Sequence, residues 1–152
     1  MAALRDVCGR LEALGHRVLT AHLLGDDVET VESALSECDV YERDIRWLDA
    51  CDVLVAEASG SSFGVGFEVG YVLSRAHTTG QRVYLFYDAG RTARISRLIS
   101  GNSDPQCTRV PYSSVAELLA AVDAHFGSKP RATRDTQDDA APSSPTSQRP
   151  SG

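Results

Sequence analysis

Val53-Leu54-Val55-Ala56 is an apolar run with no polar residue at alternate positions, and it limits the possible folds more than any other part of the chain. A strand with one wet face alternates polar and apolar side chains, so a strand without alternation must be covered on both sides. A second buried strand is expected over Arg82 to Tyr87. Strands of this kind need helices on both faces of their sheet, and parallel strands need helical crossovers.

Helical spacing supplies the crossovers. Leu4, Val7, Cys8, Leu11 and Leu14 recur at helical intervals over residues 2–14, and Gly15 provides a stop. Residues 31–50 predict a helix with Val31, Leu35, Cys38, Tyr41, Ile45 and Leu48 on one broad face. Gly64 to Ala76 predicts another, followed by a turn at Thr78-Thr79-Gly80. Arg94 to Ser100 reads as a short helix ended by Gly101. Ser114 with Glu117 is a capping box that opens an amphipathic helix through Phe126. Further strands are expected at Arg17–Leu23 and Thr108–Tyr112, and a loop at Asp26–Glu29. This order predicts an α/β fold with a doubly wound, mainly parallel sheet.

The chain's 152 residues are one domain's worth. From residue 128 onward Pro, Ser, Thr, Gln, Asp and Arg dominate and no aromatic occurs, so 128–152 is expected to be a disordered tail behind a domain at 1–127. The formal charge of −6 argues against nonspecific binding to nucleic-acid polymers or anionic membranes, which need a basic surface. No stretch is long and apolar enough to span a bilayer, and the polar start Met-Ala-Ala-Leu-Arg-Asp has no signal-peptide core, so cytoplasm or nucleus is the expected location. Cys8, Cys38, Cys51 and Cys107 have irregular spacing and read as buried reduced thiols rather than metal ligands or a disulfide framework.

The chemistry concentrates between Asp44 and Gly70, D-I-R-W-L-D-A-C-D-V-L-V-A-E-A-S-G-S-S-F-G-V-G-F-E-V-G. Strand, small-residue loop and helix start form a usual place for a phosphate or sugar. Glu68 lies near the start of its helix with glycines on both sides, which permit close approach of a ligand. The helix dipole would favour its ionised form, and an ionised carboxylate near an anomeric carbon can act as a nucleophile. The alternative is that Glu68 merely complements the dipole. Asp44 stands beside an apolar helix face, where desolvation would raise it toward a proton donor; otherwise it is a solvated helix acid.

Ser59, Ser61 and Ser62, with Gly60, Gly64 and Gly66, could cradle an anion or form a plain connection. Ser96 and Arg97, with Gly90 and Arg91 upstream, offer a second phosphate contact or an ordinary basic surface. His22 falls near the end of a predicted strand, where ligands bind, although a lone histidine is more often structural.

The two blocks E-R-D-I-R-W-L-D-A-C-D-V-L-V-A-E and S-S-F-G-V-G-F-E-V-G, with their spacing of Asp44 and Glu68, resemble the 2′-deoxynucleoside 5′-phosphate N-hydrolases, relatives of the nucleoside 2-deoxyribosyltransferases. The resemblance runs from about Leu4 to Phe126. It implies a flavodoxin-like fold, a homodimer with shared active sites, and hydrolysis of deoxynucleoside monophosphates such as 5-hydroxymethyl-dUMP. Carried over, Glu68 would attack the deoxyribose C1′ and Asp44 would transfer the proton. Ser62 and Ser96 would bind the 5′-phosphate across the dimer, with Gly64 and Leu98 at substrate contacts. No metal or organic cofactor is implied. Family members open with a strand and a glycine-rich loop of the type aromatic-x-x-G-S-I-R-G-G, which carries a catalytic tyrosine; this chain begins after it, so that first strand is expected to be absent. Two alternatives follow: a deoxyribosyltransferase, or a catalytically silent nucleotide-binding or dimerisation module.

Overall fold

The computed structural model describes residues 2–21, 33–60 and 62–127. Within them lie helix α1 (Ala2–Ala13), helix α2 (Glu37–Ala50), strand β1 (Val53–Glu57), helix α3 (Phe63–Thr79), strand β2 (Arg82–Asp88), a 3-10 segment (Ala89–Arg94), the single-turn helix α4 (Arg97–Ser100), strand β3 (Cys107–Tyr112) and helix α5 (Val115–Phe126). The strands form one parallel sheet in the order β1-β2-β3, with Ala56 opposite Leu85 and Phe86 opposite Val110.

Alternate residues of each strand point to opposite faces, and both faces are covered. Phe86 and Val110 pack with Val7 and Leu11 of α1 and with Leu118, Val122 and Phe126 of α5. Ala56, Val83 and Leu85 pack against Leu48 of α2 and Val69 and Val72 of α3. This is the helix-on-both-faces architecture of a doubly wound, flavodoxin-like α/β fold, and it explains why the strands lack alternation.

Local chemistry sets the helix ends. Ser36 caps α2: its hydroxyl accepts from Asp39 N at 3.2 Å while the Asp39 carboxylate accepts from Ser36 N at 3.2 Å. At the other end Gln81, buried at the start of β2, donates its amide to Leu48 O at 2.7 Å and Cys51 O at 2.8 Å, so a side chain satisfies carbonyls that the helix leaves open. Helix α3 ends at Gly80, whose φ of 77° is the left-handed conformation that glycine adopts without strain.

Four expectations are corrected. Residues 17–21 form coil and a turn instead of a strand. Leu14 and Val18 pack into the α1–α5 cluster and His16 Nε2 sits 2.9 Å from Phe126 O, so this segment closes the end of α5 and does not join the sheet. Residues 22 and 23, and so the end of that predicted strand, lie outside the described residues. Helix α2 begins at Glu37 because the Ser36–Asp39 box terminates it there; Leu35 and Tyr41 of the predicted apolar face are exposed, and Val31 is outside the described residues. Helix α3 runs through Thr78 and Thr79, leaving Gly80 alone as the stop. The predicted helix over 94–100 is broken at Ile95, which is buried at 6% exposure and anchors the chain between the 3-10 segment and α4.

All four cysteines are free; Cys8, Cys51 and Cys107 are half-buried, but Cys38 is exposed rather than buried. Among the described residues no helix is long and apolar enough to cross a membrane. The predicted tail at 128–152 lies outside the described residues.

Candidate active site

Packing of α2 on α3 brings Asp44 and Glu68 into electrostatic range. Burial first, and then the charge of Asp44, push the Glu68 carboxyl above the usual glutamate range. For Glu68 this is opposite to the direction expected from the helix dipole. Glu68 is in the second turn of α3, because the helix begins at Phe63, and the first turn holds no acid. The N-terminal dipole has faded by that depth, and desolvation decides the direction. Asp44, expected to be the desolvated acid, instead faces Arg43, whose Nε and Nη2 stand 3.0 and 2.9 Å from Asp44 Oδ1. The Arg43 guanidinium also lies over the Trp47 ring, 4.6 Å from its centroid. A second tie joins the helices: Tyr71 of α3 donates to Asp49 Oδ1 of α2 at 2.7 Å, and Arg75 reaches the same oxygen.

Ser62 is the N-cap of α3. Its hydroxyl oxygen accepts from Val65 N at 3.3 Å, which leaves the hydroxyl proton for an anion. At Gly64 an added Cβ would meet, among the described residues, only Ser62 Oγ, at an ordinary 3.7 Å. Gly64 is exposed beside the cap. Ser61 is outside the described residues, as is His22.

Ser59 does not belong to the cradle that the sequence suggested. Its side chain is buried and fully engaged. The hydroxyl donates to Glu57 Oε1 and accepts from Asp88 N at 2.7 Å, and Ser59 N donates to the same Glu57 oxygen at 3.1 Å. Tyr112 OH adds a third donor to that oxygen at 2.9 Å. Burial, foremost, raises the Tyr112 phenol; its bonds to Ser59 and Glu57 act in opposite directions. Glu57, Ser59, Asp88, Arg91 and Tyr112 line a cavity of about 180 Å³ at the carboxyl ends of the strands, together with Ala3 and Leu4 of α1. Neither Asp44 nor Glu68 lines it. Sequence reasoning missed Glu57, Asp88 and Tyr112, although each is the last residue of a strand, the position from which ligand-binding groups project in this architecture.

Ser96 stands at the N-cap position of α4 and makes no side-chain cap bond. Arg97 and Leu98 follow it on the surface, Leu98 at 85% exposure. Among the described residues no hydrogen bond or ion pair joins Ser96, Arg97 or Leu98 to Asp44, Ser62 or Glu68. Within one chain the structure thus assembles Asp44 and Glu68 on packed helices, with Ser62 at the start of the helix that carries Glu68, and leaves the 96–98 group to itself.

A Thermofilum pendens protein named "Putative 2'-deoxynucleoside 5'-phosphate N-hydrolase 1" is 39% identical over 123 residues, 81% of this chain and 82% of that one. The 5-hydroxymethyl-dUMP N-hydrolases of Rattus norvegicus and Homo sapiens are 30% and 29% identical, over 79% and 82% of this chain and 72% and 70% of theirs. Residues 1–129 match the profile of the nucleoside 2-deoxyribosyltransferase family, and the chain belongs to that family.

Proposed function

We propose that this protein hydrolyses the N-glycosidic bond of 2′-deoxynucleoside 5′-monophosphates, releasing the free base and 2-deoxyribose 5-phosphate. The observation that carries the reading is the pair of carboxylates, Asp44 and Glu68, held together by two packed helices behind a serine-capped helix start. The names of the rat and human relatives support 5-hydroxymethyl-dUMP as one such substrate.

In this mechanism ionised Glu68 forms a bond to C1′ as the C1′–N bond breaks, and the base leaves with a proton delivered through Asp44. Water then attacks C1′, its hydroxyl stays on the sugar, its proton restores Asp44, and Glu68 is freed. The Ser62 hydroxyl and the first amides of α3 take the 5′-phosphate, beside the open face at Gly64. Ser96, Arg97 and Leu98 complete this phosphate site from a second protomer. The homodimer accounts for exposed apolar groups: Phe63, Phe67, Tyr41 and Leu98 are more than half exposed, and the Phe67 ring lies 6.3 Å from Tyr41 and 6.1 Å from Tyr71 in one aromatic row.

The test is release of free base from 5-hydroxymethyl-dUMP and dGMP, measured by chromatography beside Glu68→Ala. Base release that disappears in Glu68→Ala, with the fold retained, supports the mechanism; full release by that variant sinks it. The family's name favours a second reading, transfer of the deoxyribosyl group to another base. Adding an acceptor base separates the two, because only the transferase yields an exchanged nucleoside.

A further inference from the structure

We propose that Glu57 and Tyr112 are positioning residues that act through Ser59 on both hydroxyl-bearing loops of the phosphate site; this rests on the reading just given. Glu57 Oε1 gathers three donors from two directions. Ser59 N and Ser59 OH come from the loop just after β1, and Tyr112 OH comes from the end of β3. The Ser59 oxygen in turn takes Asp88 N at the end of β2. One carboxylate oxygen and one hydroxyl thereby fasten together the carboxyl ends of all three strands.

Two segments leave this knot. From Ser59 the chain leads within three residues to Ser62, the cap of α3. From Asp88, whose side chain accepts from Gly90 N at 2.8 Å, it runs through the 3-10 segment to Ser96. The knot thus sets where both serine hydroxyls stand relative to the sheet. Neither Glu57 nor Tyr112 need touch the substrate to do so. Ser59 is buried, and its hydrogen-bonding capacity is taken up, so it transmits position and does not bind the anion itself.

The experiment compares Ser59→Ala, Ser59→Thr and Tyr112→Phe with the wild type on a deoxynucleoside 5′-monophosphate and on the same deoxynucleoside without its phosphate. Loss of one or two buried hydrogen bonds is expected to raise KM for the monophosphate about tenfold or more. The expected kcat change is less than about twofold, since the reacting carboxylates are untouched. KM for the unphosphorylated substrate should not move, and Ser59→Thr, which keeps the hydroxyl, should restore the wild-type value. Equal losses on both substrates, or a kcat loss at unchanged KM, overturn the proposal in favour of a general packing role. Amide hydrogen exchange on the same proteins reads the knot without turnover. Faster exchange confined to the first turn of α3 and to residues 88–96 in Ser59→Ala and Tyr112→Phe supports positioning; unchanged exchange there overturns it. Absence of base release by the wild type would defeat the hydrolase reading and leave the exchange result to decide this one.

Discussion

Replacing Gln81 by leucine keeps the volume of a buried side chain and removes its amide. In the native protein that amide donates at 2.7 Å to Leu48 O and at 2.8 Å to Cys51 O, and its oxygen receives Thr79 OH at 3.0 Å. The two carbonyls at the end of α2 would lose a donor in a site that water reaches poorly. At a net contribution of about 1 kcal/mol for each of the two bonds, the substitution should cost about 2 kcal/mol. Unfolding entropy near 2.1 cal/mol/K per residue gives a domain of roughly 125 residues about 0.26 kcal/mol/K, so Tm should fall by about 8 °C. Thermal unfolding followed by circular dichroism measures this, and denaturant unfolding should show a lower midpoint with the same slope. Thr79→Ala removes an exposed hydroxyl that bonds Arg75 O, Gln81 Oε1 and Gln81 N but leaves both buried bonds to the α2 carbonyls in place, and it should cost less. Gln81→Glu should cost more than the leucine variant, because it points a carboxylate at two carbonyl oxygens. A leucine variant that melts within about 2 °C of the wild type would show that the bonds are replaceable and that α2 is held by apolar packing alone.

Three further outcomes are expected. Glu68→Gln should melt above the wild type at neutral pH, because the raised folded pKa makes the ionised residue unfavourable in the fold; the gap should close as pH falls through the folded pKa toward about 4.3, below which the carboxyl is protonated in folded and unfolded states alike. Melting curves from pH 7 to pH 4 check the sign, and a gap that widens on acidification contradicts it. Asp44→Asn should move the acid limb of residual base release to lower pH, because removing the Asp44 charge lets Glu68 ionise more readily, and pH–rate profiles of the two proteins read this directly. Leu85→Ala, in the middle of β2 with no exposed surface, should cost about 2–5 kcal/mol in denaturant unfolding, near the limit of what a small domain tolerates.

Much of the fold was legible because covered parallel strands leave a direct mark. Val53-Leu54-Val55-Ala56 lacks alternation, and the structure places helices on both its sides. Ser114 caps its helix as read, its hydroxyl accepting from Glu117 N at 3.2 Å, but the box is only half made, because the Glu117 carboxylate accepts from Ser113 N instead of Ser114 N. The segment after Gly15 misled because apolar content says that residues are buried without saying against what: Val18 is consumed by α1 and α5. The start of α2 was missed because aspartate rather than glutamate closes its capping box. At the site, Asp44 and Glu68 stood out by type and spacing, but the direction of the Glu68 shift did not. It depends on where α3 begins and on the Arg43 contact, which arise from the fold. The Glu57–Ser59–Tyr112 knot joins residues far apart in the chain, so its members could be suspected only as strand ends.

The Ser62 cap has one further consequence. The oxygen that accepts from Val65 N can still donate its own proton, so an anion arriving at this helix start extends the cap instead of competing with it. Occupancy and order in the first turn of α3 are then thermodynamically linked. A monophosphate at a hundred times its Kd would raise the free energy of unfolding by about 2.7 kcal/mol, and a melting curve becomes a titration that needs no turnover.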